Sequence, residues 1–212
     1  MPVVLDVNVL PRGEASRTRR LRDAFLAAYF GAHPEAQHIP VNLADPELRL
    51  PAFDEWDISA RFEMLYGEGT LDEAHAERWN ALSALTDQLH TATLVLVTAP
   101  MWNFTVPWHL KRWLDCVVQG RLTFELRDGQ FHGLLTGRPA VILTSRDGMY
   151  KPGTPYAALD FHIPYLRTIL GLMGLAPIHE VIAEPLALSE PETAGAALDA
   201  AVAQARALGA KL

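Results

Sequence analysis

The chain has 212 residues, 50% of them apolar, enough to bury a substantial core without metals or disulfides and short enough to favour one domain. With 25 acidic against 18 basic side chains the formal charge is -7, which repels a nucleic-acid backbone, and no concentrated Lys/Arg face offsets it. A single cysteine, Cys116, excludes an internal disulfide framework and any CxxC redox or zinc element.

The opening MPVVLDVNVL shows no charged leader or small-residue cleavage site, and no apolar run approaches the roughly 18 residues of a membrane span. A soluble, cytoplasmic protein is expected, with no membrane partner. Val3, Val4, Leu5, Val7 and Val9 form a β-branched apolar run that suits a parallel strand buried on both faces. After the polar loop Leu10 to Ala15, Ser16 is placed to cap a helix whose Leu21, Ala24, Phe25, Ala28 and Tyr29 share one face. A second strand is expected around Ile39 to Leu43. The stretch from about 44 to 74, with Pro46, Pro51, Gly67 and Gly69, reads as an irregular surface excursion.

Trp79, Leu82, Leu85 and Leu89 mark the next helix, and Thr93 to Thr98 (TLVLVT) is a continuous apolar strand stopped by Pro100. A helix begins near Pro107 with Leu110, Trp113, Leu114, Val117 and Val118 as its buried stripe. Asp128-Gly129, between LTFEL and QFHG, predicts a small hairpin. Ala140 to Thr144 is the fourth main strand. Leu159, Ile163, Leu166, Leu170 and Met173 give another amphipathic helix, and Ile178 to Ala183 the fifth strand. Ser189-x-x-Glu192 resembles a capping box before the last helix, whose inner face carries Leu198, Ala201, Val202 and Ala205. Strands alternating with helices imply right-handed crossovers and a parallel α/β sheet covered on both sides.

Ligands of such sheets bind beyond the carboxyl ends of the strands. Three loops therefore matter: Leu10 to Thr18, Ala99 to Val106, and Ser145 to Pro155. In the first, free N–H groups at a helix start favour an anion, Ser16 and Thr18 add hydroxyls, and Arg12 and Arg17 add charge. Ser16 is equally well explained as a simple cap. No GxGxxG follows the first strand and no GxxxxGK[ST] occurs, which argues against a Rossmann dinucleotide site and a P-loop; a hydroxyl-rich loop for one terminal phosphate remains. In the second loop, APMWNF puts Trp102 and Phe104 beside Asn103, either as ordinary packing or as a surface for a flat aromatic ligand.

At these residues the chain resembles the FMN-dependent NADH-azoreductase and NADH:quinone oxidoreductase family. The strings that carry the resemblance are APMWNF, VPWHLKRWLD, LTFEL, GLLTGRPAVILTSRDGMY, PYLRTILGLMG and AEP, in an order and spacing that span almost the whole chain. The resemblance implies a flavodoxin-like three-layer sandwich with strand order 2-1-3-4-5, FMN bound tightly without a covalent link, NADH or NADPH as donor, and quinones and azo compounds as acceptors. It implies a homodimer in which both chains contribute to each site; Phe53, Trp56, Phe62 and Tyr66 in the excursion suit such an interface or, equally, a lid. Ser16, Arg17 and Thr18 match the family's phosphate segment. Pro100, Met101, Trp102, Asn103 and Phe104 match the loop under the isoalloxazine and ribityl chain, and Ser145, Arg146, Asp147 and Gly148 the loop on the pyrimidine side. The family's activity implies two half-reactions at one site, with no side-chain nucleophile. Asn103, Ser145 and Arg146 are then expected to hydrogen-bond the flavin. Trp102, Phe104, Tyr150 and Leu172 are expected to shape the stacking surface, Leu172 across the dimer.

Two departures stand out. Leu10 occupies the place of the family's usual serine, and Asp147-Gly148 stands where a pair of glycines is usual; Asp147 either places a negative charge near the flavin or points to solvent. These departures keep open a flavodoxin-like electron carrier and a cofactor-free binding module. No metal centre is expected, since His109, His132, His162 and His179 lie on different elements and no HExxH occurs. Cys116 reads as a small packed residue, and Ser145 lacks the GxSxG elbow of a hydrolase.

Overall fold

A computed structural model describes residues 1–212. Five strands, β1 (Val3–Asn8), β2 (Gln37–Asn42), β3 (Leu94–Thr98), β6 (Ala140–Ser145) and β7 (Ile178–Ala183), pair in parallel in the order β2-β1-β3-β6-β7. The antiparallel pair β4 (Phe124–Arg127) and β5 (Gln130–Gly133) forms a separate hairpin closed by Asp128 and Gly129, both at positive φ. Leaving the hairpin out of the count, the sheet order is the expected 2-1-3-4-5.

Side chains that alternate along each strand feed two cores. Leu5, Val7, Val95, Val97 and Ile142 face a cluster of 23 buried residues under α3 (Glu73–Thr91), α4 (Trp108–Val117) and α5 (Ile163–Leu172). Val4, Leu94, Leu96, Val141 and Leu143 face 15 buried residues under α1 (Arg17–Ala32) and α6 (Pro191–Lys211). With both faces covered, alternation cannot show as polar against apolar, so the strands read as continuous apolar runs. Each fully buried aliphatic side chain contributes about 1.5–3 kcal/mol, and shortening a central one such as Ile142 to alanine costs about 2–5 kcal/mol. Gly209 lets α6 lie against the α1 backbone, since any Cβ there would run into the Phe25 carbonyl.

One residue of β1 breaks the apolar pattern. Asp6, fully buried on the α1 side, accepts hydrogen bonds from Arg22 Nε (2.9 Å) and Nη2 (2.5 Å) and faces His38 Nε2 at 3.0 Å. The trio ties β1, α1 and β2 together. Its carboxylate is tolerated in the core only because it is paired on two sides.

The excursion is more ordered than its prolines and glycines suggest. It holds α2 (Glu55–Tyr66), started by a reciprocal cap in which Asp54 accepts from the Trp56 and Asp57 amides and Asp57 accepts from the Asp54 amide. α2 packs on α3 and leaves Trp56, Phe62 and Tyr66 exposed. The capping box expected at Ser189 and Glu192 does not form. Ser189 Oγ instead donates to the Pro185 carbonyl, and α6 starts at Pro191, whose fixed φ is already helical. No helix is long and apolar enough to cross a membrane.

Candidate active site

The loops after β1, β3 and β6 meet at the carboxyl end of the sheet. Ser16, Arg17, Thr18, Pro100, Met101, Trp102, Ser145 and Asp147, all singled out in the sequence, line one cavity of about 190 Å³ together with Arg12. Its floor is the start of α1. Ser16 caps that helix by accepting from the Arg19 amide at 3.3 Å, while the first-turn N–H groups of Arg17 and Thr18 have no partner within the helix. Both readings of Ser16 therefore meet in one geometry: it caps the helix and lines the cavity. Thr18 Oγ1 and Ser145 Oγ lie 2.6 Å apart, so the hydroxyls from the β1 and β6 loops share one proton and leave the other to a ligand.

The β3 loop supplies the adjoining wall. The Met101 amide donates to the Ser145 carbonyl, carrying the β3–β6 pairing past the strand ends, and Trp102 and Thr105 exchange hydrogen bonds of 2.9 Å across a tight turn. The central residues, Asn103 (φ 45°) and Phe104 (φ 68°), are both left-handed. Asparagine tolerates that region, but phenylalanine is strained there by about 1–3 kcal/mol. The turn leaves the Phe104 ring at the surface, 43% exposed. The Phe104 carbonyl is fixed by the Phe161 amide at 3.0 Å.

The Arg146 side chain does not enter the cavity. Its guanidinium is 2% exposed and points into the protein, donating to Asp160 at 2.7 Å, with its Nε 3.6 Å from Glu184. The Asp160 carboxylate also takes the His162 and Ile163 amides at the head of α5, and Glu184 takes the Tyr150 amide at 3.1 Å. The guanidinium lies 5.7 Å from the centre of the Tyr150 ring. This buried knot positions the β6 loop from behind, so the cavity receives Ser145 and Asp147 while Arg146 turns inward. Beside it His162 is buried, with Nε2 unpartnered and Nδ1 3.5 Å from Thr144; burial, then the Arg146 charge, pull its pKa down to about 3.

Asp147 is exposed and lies 3.7 Å from Arg17 across the cavity mouth, so the charge left open by the sequence is at the site and partly neutralised there. Its carbonyl is capped by the Leu186 and Leu188 amides at 3.1 and 3.0 Å. A Cβ at Gly148 would lie 3.2 Å from the Tyr150 ring, tighter than ordinary packing, so a larger residue there would press on that ring. Tyr150 itself is buried, sitting edge-on to Phe104 at 6.3 Å and 6.0 Å from Tyr156, so it supports the exposed ring instead of forming the open surface.

Two expected residues stay away from this cluster. Leu10 does not line the cavity; its carbonyl closes a turn by accepting from Gly13. Leu172 ends α5, which starts beside the site and runs back along the sheet, so it lies at the far end near Gly133 and Gly174, out of reach of the loops of its own chain. The Asp160–Glu184–His162 support was not foreseen, because the three positions share no spacing motif. The exposed aromatics Tyr156 and Phe161 were visible in the sequence only as composition.

An FMN-type ligand fits these residues at its phosphate end. The cavity offers two cationic side chains, three hydroxyls and a helix start, the donor set a phosphate monoester needs. At about 190 Å³ it is smaller than a usual ligand pocket, so a flat ring system would have to lie outside it, over the Trp102–Thr105 turn where Phe104 is held on the surface.

Residues 3–208 match a protein family described by its flavodoxin-like fold. The FMN-dependent NADH:quinone oxidoreductase of Nitratidesulfovibrio vulgaris is 38% identical over 97% of each chain. FMN-dependent NADH:quinone oxidoreductase 2 of Pseudomonas syringae pv. tomato is 34% identical, over 98% of this chain and 97% of its own. Among solved structures, the azoreductase of Bacillus anthracis superposes with a TM-score of 0.89 at 26% identity, covering 100% of both chains. Sequence and architecture agree over the full length, and the chain belongs to the flavodoxin-like family that includes these quinone oxidoreductases and azoreductases.

Proposed function

We propose that the chain is an FMN-dependent oxidoreductase that uses NADH or NADPH to reduce quinones and azo compounds by two-electron, ping-pong transfer. The observation that carries this reading is the joint geometry of a hydroxyl- and arginine-lined phosphate cradle and a strained turn presenting Phe104 beside it. The names of relatives at 34–38% identity support it.

Ser16, Arg17 and Thr18 hold the phosphate, with Arg12 adding charge at the rim. Met101, Trp102 and Asn103 line the ribityl chain and one edge of the ring, and Ser145 and the Gly148 backbone serve the pyrimidine side. When bound, FMN supplies hydride acceptance from the donor and two-electron delivery to the acceptor. Phe104, backed by Tyr150, which Tyr156 adjoins, walls the space into which donor and acceptor enter in turn. The shared face explains why no side-chain acid or nucleophile has to stand in the cavity.

The protein is proposed to act as a cytoplasmic homodimer. Trp56, Phe62 and Tyr66 on α2, with Leu126 and Phe131 on the hairpin, form exposed apolar surfaces of the kind that pair between chains. Leu172, close to the hairpin, can reach a flavin only in a partner subunit. Steady-state assays of the FMN-loaded protein with NADH and a benzoquinone test the reaction: parallel double-reciprocal lines are expected. Intersecting lines, or no quinone-dependent NADH oxidation, would overturn the ping-pong reading or the enzyme reading respectively.

A further inference from the structure

A dinucleotide donor carries a nicotinamide at one end and adenosine diphosphate at the other, and only the nicotinamide belongs over the Phe104 face. An open groove leads away from that face along the first turns of α4. It starts as a cavity of about 490 Å³ that includes Trp102 and Asn103, and continues as one of about 380 Å³ bounded by the segment after β2. Trp108 and Arg112 line both parts.

Trp108 is 60% exposed, yet it is held in place: its indole stacks on the His109 ring at 3.9 Å and 29°. Burial lowers the pKa of His109, so the ring beneath the indole is uncharged at neutral pH. A fixed, exposed tryptophan is a stacking platform for a base. Arg112 is anchored through Nη2 to the Leu50 and Pro51 carbonyls at 2.7 and 3.3 Å, is paired with no carboxylate, and lines both parts of the groove. Arg49, largely exposed, stands at the far rim, where it donates to the Pro46 carbonyl and lies 3.6 Å from Glu47 in a solvent-exposed pair. Asp45 also lines the groove, and Lys111 there is paired with Asp115, so Arg112 is the one cation of the groove without a carboxylate partner; beside the Trp108 platform it offers an aromatic face and a guanidinium to a purine and its attached pyrophosphate.

We propose that this groove seats the adenosine diphosphate half of the donor. Trp108 stacks the adenine, Arg112 faces the pyrophosphate, and Arg49 stands where a 2′-phosphate would project, making it the residue that distinguishes NADPH from NADH. The proposal rests on the donor assignment made above and extends it to residues outside the flavin cradle.

The test compares NADH with reduced nicotinamide mononucleotide, which lacks the adenylate, on the FMN-loaded protein at saturating benzoquinone. The wild type is expected to use NADH more efficiently. Trp108→Ala should lower kcat/KM for NADH by roughly tenfold more than for the mononucleotide, the scale of a lost base–aromatic stack, while Trp108→Phe keeps most of the preference. Arg49→Ala should lower kcat/KM for NADPH by several-fold more than for NADH. Calorimetry with ADP-ribose needs no turnover and should show binding that weakens in Trp108→Ala. Equal losses for the two donors, no donor preference in the wild type, or ADP-ribose binding indifferent to Trp108 would each overturn the groove assignment. So would a Trp108→Ala chain whose only change is its oligomeric state, since the groove would then belong to a second copy. ADP-ribose bound at Trp108 in a protein that oxidises no NADH would keep the groove and defeat the proposed reaction instead.

Discussion

Replacing Arg146 with methionine separates a residue that holds the β6 loop from one that touches the cofactor. The guanidinium is 2% exposed, with Asp160 at 2.7 Å and Glu184 at 3.6 Å. At an effective dielectric of 20 those separations correspond to gross attractions of about 6 and 5 kcal/mol, largely offset by the cost of taking the guanidinium out of water. Removing one partner of a buried pair costs about 3–5 kcal/mol, because the remaining charges lose compensation. Here the carboxylates keep the amides of His162, Ile163 and Tyr150, which places Arg146→Met near the lower end, about 3 kcal/mol. For a chain of this size that is a fall in Tm of roughly 6–12 °C. Urea denaturation of the FMN-free protein measures the loss, and the flavin absorbance of the reconstituted protein measures retention. The geometry predicts a destabilised chain that still binds FMN at low temperature. A variant within 1 kcal/mol of wild type (about the worth of a surface pair) that has lost FMN would refute the inward placement and return Arg146 to the flavin.

Three further outcomes follow from the same region. His162 has its pKa pulled down to about 3 in the folded chain against about 6.5 unfolded, so the unfolded state takes up the proton first and stability falls as pH drops below the unfolded value; wild type should lose about 2 kcal/mol more than His162→Gln between pH 7 and pH 5, measured by urea denaturation at each pH, and equal losses would contradict the burial. Asp147→Asn frees Arg17 from an exposed pair worth at most about 1 kcal/mol, so FMN should bind up to about fivefold tighter in a fluorescence titration; weaker binding would mean Asp147 contacts the cofactor favourably. Phe104→Ala should change the ratio of quinone to azo-dye rates with little loss of FMN, whereas Tyr150→Ala, emptying a buried ring site, should also cost about 3–5 kcal/mol of stability; parallel loss of FMN in both would sink this division of roles.

Much of this was legible in the sequence for a physical reason. Strands covered on both faces leave continuous apolar runs such as TLVLVT, and amphipathic helices leave stripes such as Leu110, Trp113, Leu114 and Val117, so sheet and layers follow from pattern. The cavity proposed to hold the phosphate was legible because a helix start and hydroxyl residues coincide at Ser16 and Thr18. Features built from distant residues were not. Asp6 sits in a strand that reads as apolar, and only the fold brings Arg22 and His38 to it. Arg146 shares a string with Ser145, yet successive residues leave a strand on opposite sides, which sends one into the cavity and the other to Asp160 and Glu184. α2 is masked in the sequence because Pro46, Pro51, Gly67 and Gly69 flank it, and the spacing of Asp54 and Asp57 is the one local signal of its start. Leu172 was placed by resemblance alone, and the direction of α5 takes it away from its own chain's site.

The most direct measurement is an anaerobic titration of the FMN-loaded protein with NADH, followed by a benzoquinone and then, after a second reduction, an azo dye. The flavin band should bleach with one NADH per flavin and return with each acceptor, without any partner protein present. A flavin that NADH cannot bleach, or a bleached flavin that neither acceptor restores, would contradict a two-electron donor-to-acceptor reductase and leave only the flavodoxin-like fold standing.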